Sequence, residues 1–537
     1  MDFYRLTLLL IPSLTLAATP PDLAGKVPDW STDEEKSGAT VHPVGKSLNA
    51  PLIEFSLGGQ TPEGPAAHQL APLPLTTLSN AVAFVRSQRG QNGQGLPALF
   101  WAPEGTRFPD PLEFLLVQEG VGLYDTALAI LVLVDAGQLE EARHILDIYA
   151  SGHYTETASA PMELRAMPAR NNNDAFSPFT DDTYYFFDFT NVYGDWMRWG
   201  ERWKFWTAHT GPNAWLANAA LHYVIAERAR GTSESRLKPI IHLAETIGRA
   251  MQRLQDKETQ GAIRYGPQGM WHAEDTSAPY VEINSENNIS AYATFQMLAR
   301  VTGKSTYSQS ANRILHWFSA GEVQTAPGQK QIGLLDRERG TLAMGATWKE
   351  NQWHLQSEHP TDAGGTWAIS SLGAATIDKI WGPKAAYRMW QRLRQQAGRT
   401  EQFTLAIGTQ SVAGLDFMDG FPLTESLISP EWTGGGIFAL RELLAYYDKG
   451  PGHGLLTPVE FAGLMHDAQT METFVRQNPN PYALGPGHGG HRQGATGFHW
   501  SSPPENVHAL ASVYFTLALT KQTDPLGDWR LHASTTN

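Results

Sequence analysis

The chain has 537 residues, 42% of them hydrophobic, and a formal net charge of −14. Nucleic acid is disfavoured as a partner, because counterion release needs clustered Lys and Arg and no such cluster occurs. Cysteine is absent, which excludes disulfides, thiolate nucleophiles and cysteine-held metals, and an acidic chain with 17 Trp suits a neutral or cationic substrate better than a polyanion.

The first element is an apolar stretch, Leu6 to Leu16, broken only by Thr7, Pro12, Ser13 and Thr15 and followed by the small residues Ala17, Ala18 and Thr19. It reads as a cleaved export signal over residues 1–18, too short for the roughly 20 apolar residues a membrane span needs. A secreted or periplasmic monomer with no membrane partner is expected. N-terminal sequencing of exported protein should begin near Ala18 or Thr19, and an intact Met1 on a folded cytoplasmic product would refute this. Residues 19–74, rich in Pro, Gly, Ser and Thr, read as an extended arm with a short strand near Leu52 to Leu57.

From residue 75 to 537 the pattern is helical. Helix-period runs fall at 76–88, 124–136, 139–150, 213–230, 236–255, 286–302, 306–319, 366–381, 384–397, 430–447, 457–476 and 504–521. Ten of these pair across short turns such as Asp135-Ala136-Gly137 and Trp381-Gly382-Pro383, where Gly stops one helix and Pro starts the next. The first and last runs remain, and would pair to close a ring. The long connections 151–212, 320–364 and 398–429 are of the size that usually carries function, and 320–364 has strand-like stretches such as Gln331-Ile332-Gly333-Leu334-Leu335.

Six of the runs open on one kind of phrase, a turn followed by polar or acidic residues beside aromatic or apolar ones. The phrases begin at Tyr124-Asp125, Pro212-Asn213, Ser285-Glu286-Asn287-Asn288, Gly365-Thr366-Trp367, Ser429-Pro430-Glu431-Trp432 and Pro504-Glu505. They recur roughly every 65 to 90 residues, the space of a helical hairpin and a long loop. These leading helices are rich in small residues, as in Ala217-Asn218-Ala219-Ala220, whereas the trailing ones carry a charged stripe, as in Glu140-Glu141-Ala142-Arg143. Inner helices packed on all sides need the first composition, and outer helices need the second. The expected fold is therefore all-α, an (α/α)6 barrel whose six inner helices bring their first turns to one end. A repeat solenoid would have a shorter, steadier period and polar end caps.

This pattern of twelve paired helices, with Trp and carboxylates at the inner starts, resembles the six-hairpin α/α-barrel glycoside hydrolases. The resemblance is architectural and covers nearly all of the chain after the signal. It implies a carbohydrate substrate. The same barrel also hosts polysaccharide lyases and sugar epimerases, so the site must decide.

Glycoside hydrolysis needs one protonated and one ionised carboxyl group flanking the scissile bond. The candidates are Glu286, Asp125, Asp416 and Glu431. Each helix-start acid also has a plain structural reading, because an acid in a first turn complements the helix dipole by roughly 0.3–1 kcal/mol. Glu286 is singled out as proton donor because His272, Glu274, Asp275, Glu282, Asn284, Asn287 and Asn288 crowd around it in sequence, more than a cap requires. Asp125, Asp416 or Glu431 would be the ionised partner. Candidate sugar contacts are Tyr124, Asp182, Trp206, Asn213, Trp215, Trp271, His272, Asn287, Asn288, Trp367 and Trp432, where indole rings would stack on sugar faces and amides would take hydroxyls. No cofactor is implied. The Gly-rich His488, His491 and His499 segment lacks an acid to complete a metal set, and no phosphate-cradling loop or Gly-x-Ser-x-Gly elbow occurs. The sequence thus points to an exported hydrolase of a neutral, glucan-like glycan that inverts the anomeric centre. The alternatives are a lyase on the same toroid, using Tyr184, Tyr185, His272 and Asn287, and a non-catalytic carbohydrate-binding barrel.

Overall fold

A computed structural model of the protein describes residues 77–89, 95–101, 120–154, 162–166, 182–191, 208–255, 261–267, 282–320, 322–326, 329–332, 334–336, 340–350, 352–356, 361–405, 408–415, 430–477, 508–521 and 523–530. All of them belong to one unit, Pro65–Asn537. The expected export signal, the arm and its strand near Leu52 lie outside the described residues.

The helices, in chain order, are α1 (Leu78–Ser87), α2 (Leu123–Asp135), α3 (Leu139–Ser151), α4 (Thr210–Ala229), α5 (Glu234–Leu254), α6 (Ser285–Thr302) and α7 (Ser305–Ala320). There follow α8 (Trp367–Leu372), α9 (Ala374–Trp381), α10 (Ala385–Ala397), α11 (Pro430–Asp448), α12 (Pro458–Gln477) and α13 (Val513–Thr520). The inner ring runs α2, α4, α6, α8, α11, α13, each packed on the next, and α13 returns to α2. The outer helices α3, α5, α7, α10 and α12 each pack on the inner helix or helical segment before them, and α1 packs on α13, so the first and last helices do close the ring. The molecule is an (α/α)6 toroid, and among the described residues no helix is long and apolar enough to cross a membrane.

The difference between layers follows composition. In α2 every residue from Asp125 to Leu133 is buried, and in α4 nearly every residue from Thr210 to Val224. The outer α3 buries only the stripe Leu139, Ala142, Ile145, Leu146 and Tyr149. Ring closure is fixed at two levels. The Asp125 carboxylate accepts the Ala511 N–H at 3.0 Å near the helix starts, and the Lys521 ammonium reaches Asp135 at 2.8 Å near the other end.

Two of the expected helices differ in form. The run 366–381 is interrupted at Gly373, which takes a left-handed φ of 84°. The carbonyl of Ser371 is occupied there by Trp529 Nε1 at 3.1 Å and Arg530 Nη1 at 2.8 Å, so side chains replace the helical partner. A π-turn, Asp362–Thr366, precedes α8. The run 504–521 begins late. Its phrase at Pro504-Glu505 lies outside the described residues, His508–Ala509 pair as a strand with Phe100–Trp101, and the α-helix starts only at Val513 after a 3₁₀ turn.

Short strands seat the inner helices. β1 is Phe100–Trp101, β2 Gly120–Gly122, β3 His153–Tyr154, β4 Met162–Glu163, β5 Arg165–Ala166, β6 Tyr185–Phe186, β7 Phe189–Asn191 and β8 Glu282–Asn284. β2 pairs with β7, and the Leu123 N–H then finds the Asp188 carbonyl at 2.8 Å, which places the start of α2. The strands expected in 320–364 form a sheet in the order β10 (Gln329–Ile332), β9 (Glu322–Ala326), β12 (Gln352–Gln356), β11 (Gly345–Lys349), β8. Its edge strand β8 runs directly into α6, and the Ser285 N–H bonds the Met344 carbonyl at 2.7 Å. The connection 398–429, expected to be a loop, instead carries a regular hairpin, Gly398–Leu405 with Gly408–Leu415.

Candidate active site

The first turns of the inner helices meet. Tyr124, Glu286, Glu431 and Tyr514 are each the second residue of their helices, α2, α6, α11 and α13. Trp367 opens α8. Ring centroids of Tyr124 lie 5.4 Å from Trp215 and 6.0 Å from Trp367, and those two indoles are 5.2 Å apart. Tyr514 completes the cluster, 5.9 Å from Trp215 and 6.4 Å from Trp367, edge to face with both. Such tilted and edge-on packing is the favoured geometry of aromatic quadrupoles. Trp215, Trp367 and Tyr514 are buried while Tyr124 is partly exposed, so the four rings form a floor with Tyr124 at its open side.

Glu431 is held at that floor. The Tyr124 hydroxyl donates to its Oε1 at 2.7 Å, linking residues 307 apart, and only 3% of Glu431 is exposed. Burial pushes the Tyr124 phenol well above its ordinary range, and the nearby Glu431 charge adds to this. The phenol therefore stays a donor at any working pH, and Oε1 of Glu431 an acceptor. Glu286 is half-buried in the first turn of α6, beside the buried phenol of Tyr265. Tyr265 is raised well above its usual value by burial first, then by the charges of Asp188, Glu286 and Glu282.

Several of the expected contact residues are already engaged within the protein. Asn288 is fully buried, its Oδ1 taking the Ile263 N–H at 2.7 Å and its Nδ2 giving to the carbonyls of Ile263 and Asn284 at 2.9 and 2.8 Å. Asn213 repeats the device, accepting from the Phe186 N–H at 2.7 Å and donating to the carbonyls of Phe186 and His209. Both are the fourth residue of an inner helix and bind the backbone of the segment feeding it. Neither amide has a donor left for a sugar. Asp125 is likewise buried and engaged with Ala511. The backbone carbonyl of the exposed Asp182 accepts from Arg249 at 2.9 Å. Trp215 and Trp367 are enclosed by other rings, so their faces are not offered for stacking, and Trp432 is also buried. Asp416, Trp206, Trp271, His272 and the three histidines near 490 lie outside the described residues.

Two buried donors have no hydrogen-bond partner among the described residues, Trp215 Nε1 in the floor and Asn287 Nδ2 in the first turn of α6. Asn287 packs its Oδ1 so closely on Gly211 that a Cβ there would stand 2.2 Å away. Buried polar groups are nearly always paired, so such orphans call for a reason.

Sequence reasoning missed Tyr514, Asp188, His209 and Tyr265. The Asp188 carboxylate grips His209 twice, accepting its backbone N–H at 2.9 Å and contacting its Nδ1, and the imidazole lies on the Tyr265 ring at 4.1 Å between centroids. This locks the start of α4 to the segment before α6. No group of three or more acidic, His or Cys side chains suited to a metal occurs among the described residues.

No protein-family model matches the sequence, and no curated protein does. Solved structures with similarity include the α-1,6-mannanase of a Salegentibacter species, 13% identical over 84% of this chain and 99% of that one, TM-score 0.41. A family 76 glycoside hydrolase from a bovine Bacteroides thetaiotaomicron strain is 7% identical over 83% and 78%, TM-score 0.47. The cellobiose 2-epimerase of Bacillus thermoamylovorans is 11% identical over 83% and 98%, TM-score 0.46.

Proposed function

We propose that this protein hydrolyses a glycosidic bond of a neutral glycan, with Glu431 as general base and Glu286 as general acid. The observation that carries the reading is the hydrogen bond from Tyr124 to Glu431 at the convergent end of the toroid. It fixes one carboxylate oxygen as an acceptor beside an aromatic floor, and Glu286 likewise stands in the first turn of an inner helix. In ring order α8 stands between the helices that carry the two acids.

In this mechanism Glu431 takes a proton from water, and the water oxygen attacks the anomeric carbon. The bond from that carbon to the leaving oxygen breaks, and Glu286 gives its proton to the oxygen. The anomeric configuration inverts in the single displacement. The net charge of −14 favours a neutral glycan over uronate polymers.

The test is incubation with neutral gluco- and manno-oligosaccharides, following new reducing ends and their first-formed anomer by proton NMR. Inverted product is expected. A product absorbing in the near ultraviolet would make the protein a lyase, and an altered sugar without new reducing ends would make it an epimerase. Tyr124→Phe should lower kcat about 10- to 100-fold, the worth of one hydrogen bond to a charged group, with KM little changed. Unchanged kcat in that variant would remove Glu431 from the mechanism.

A further inference from the structure

One hydrogen bond below the aromatic floor lies a carboxyl group that the proposed reaction does not use. Asp524, 2% exposed, sits in the turn that follows α13. Its Oδ2 accepts the Tyr514 hydroxyl at 2.5 Å, and its Oδ1 accepts the Leu526 N–H at 2.8 Å. The turn 523–530 is tied to three inner helices. Asn218 and His222 of α4 reach the Pro525 carbonyl at 3.3 and 3.1 Å. Trp529 and Arg530 hold the Ser371 carbonyl of α8, and Arg530 also meets Glu442 of α11 at 3.0 Å. Gly527 lies so close to the Ser370 carbonyl that a Cβ would stand 2.8 Å from it.

A phenol needs only one acceptor, and a backbone carbonyl would serve without the desolvation cost of a buried carboxylate. An acid in this place is therefore more than packing asks for. It also makes the hydrogen bond reversible in sense. Ionised Asp524 must accept from Tyr514, whereas protonated Asp524 can donate to it.

We propose that Asp524 is a positioning residue for the floor of the cleft. Through Tyr514 it sets the ring against which Trp215 and Trp367 pack, and through those rings it sets Tyr124, which holds Glu431. The inference rests on the hydrolytic reading of the site, but its main readout does not. Burial pushes the Asp524 carboxyl up to about 6, with the hydrogen bonds from Tyr514 and Leu526 opposing the rise and Asp528 adding to it. The other charged groups around the turn are Lys521, which bridges Asp528 and Asp135 of α2, His222 of α4, Arg530 and Glu442. His222 is held below its ordinary value by burial, so it also titrates differently folded and unfolded and must be controlled for.

The experiment is near-ultraviolet circular dichroism of the full chain between about pH 4 and 8, with the far-ultraviolet signal as a control for folding. Four coupled rings make this band sensitive to floor geometry. The wild-type spectrum should titrate with a midpoint near 6, and Asp524→Asn and Tyr514→Phe should each abolish that titration. The double variant should behave like either single one, and His222→Gln should leave the titration in place. On a hydrolysed glycan, both single variants should lower kcat about tenfold with KM unchanged. A titration that persists in Asp524→Asn overturns the proposal. So does a titration that survives in Tyr514→Phe, the variant that decides the matter if Asp524→Asn fails to fold. If the spectra behave as expected but no glycan is cleaved, the hydrolytic reading falls and the link from Asp524 to the floor stands.

Discussion

Glu286→Gln should lower turnover of an unactivated glycan by ~10²–10⁴-fold, because it keeps the shape of the side chain and removes the proton the leaving oxygen needs. Substrate binding should survive, and folding stability should move by no more than the ~0.3–1 kcal/mol of a first-turn charge on the helix dipole. Glu431→Gln should cause a loss of the same order for a different reason, since an amide cannot take a proton from water. The two are separated by an aryl glycoside whose leaving group departs without protonation. Glu286→Gln should recover much of its rate on that substrate, and Glu431→Gln should not. Equal recovery by both variants would mean the roles are misassigned. Unchanged turnover with slightly lower stability would reduce Glu286 to a cap.

Asn288→Ala should destabilise the protein by about 3–5 kcal/mol, measured as a lower urea midpoint. The substitution strands the N–H and carbonyl of Ile263 and the carbonyl of Asn284 in a dry interior. Each stranded group costs roughly 1–3 kcal/mol, with partial relaxation. Asn288→Asp should fare no better, since it keeps the acceptor for Ile263 but loses both donors and buries a charge. If Asn288→Ala is instead stable and raises KM, the amide contacts sugar after all.

The helices were legible in sequence because their causes are local. Small-residue apolar runs with a Gly at the stop gave ten of the twelve to within a few residues, as at Gly303, whose left-handed φ of 70° ends α6. The hairpin 398–415 was not legible. The two residues between its strands in sequence, Ala406 and Ile407, are neither the Asn-Gly nor the Asp-Gly pair that signals a tight reversal, and the strands alternate weakly. The break at Gly373 depends on Trp529 and Arg530, more than 150 positions away in sequence.

At the site, chemistry was legible but commitment was not. Glu286, Glu431, Tyr124, Trp215 and Trp367 could be singled out because polar and aromatic residues at inner-helix starts must share one end, and Tyr124, Trp215, Trp367 and Glu431 do meet there. Asn213 and Asn288 belong to the same signature, yet their amides turn to backbone from earlier segments. An amide at a helix start looks identical whether a sugar or a neighbouring chain will meet it. Tyr514 was missed because the last inner helix begins at Val513 rather than near 504, which hides its second residue inside a supposed helix interior. Asp524-Pro525 reads as an ordinary turn, and only the toroid reveals that the turn goes inward.

The contact between Asp125 and Ala511 joins residues 386 apart and seals the first inner helix to the last. A ribosome adding about 5–20 residues per second needs roughly 20–80 s to travel that distance. Throughout that interval α2, apolar on almost every side, has no α13 to cover it. Its hairpin with α3 can form early, but Tyr124 cannot reach Glu431 until most of the chain exists. Until the last helix is made the apolar wall stays uncovered, and any premature stop before it leaves an open arc with its greasy inner wall bare. Activity and solubility should be lost together in such fragments, because the same closure that completes the floor also hides the wall.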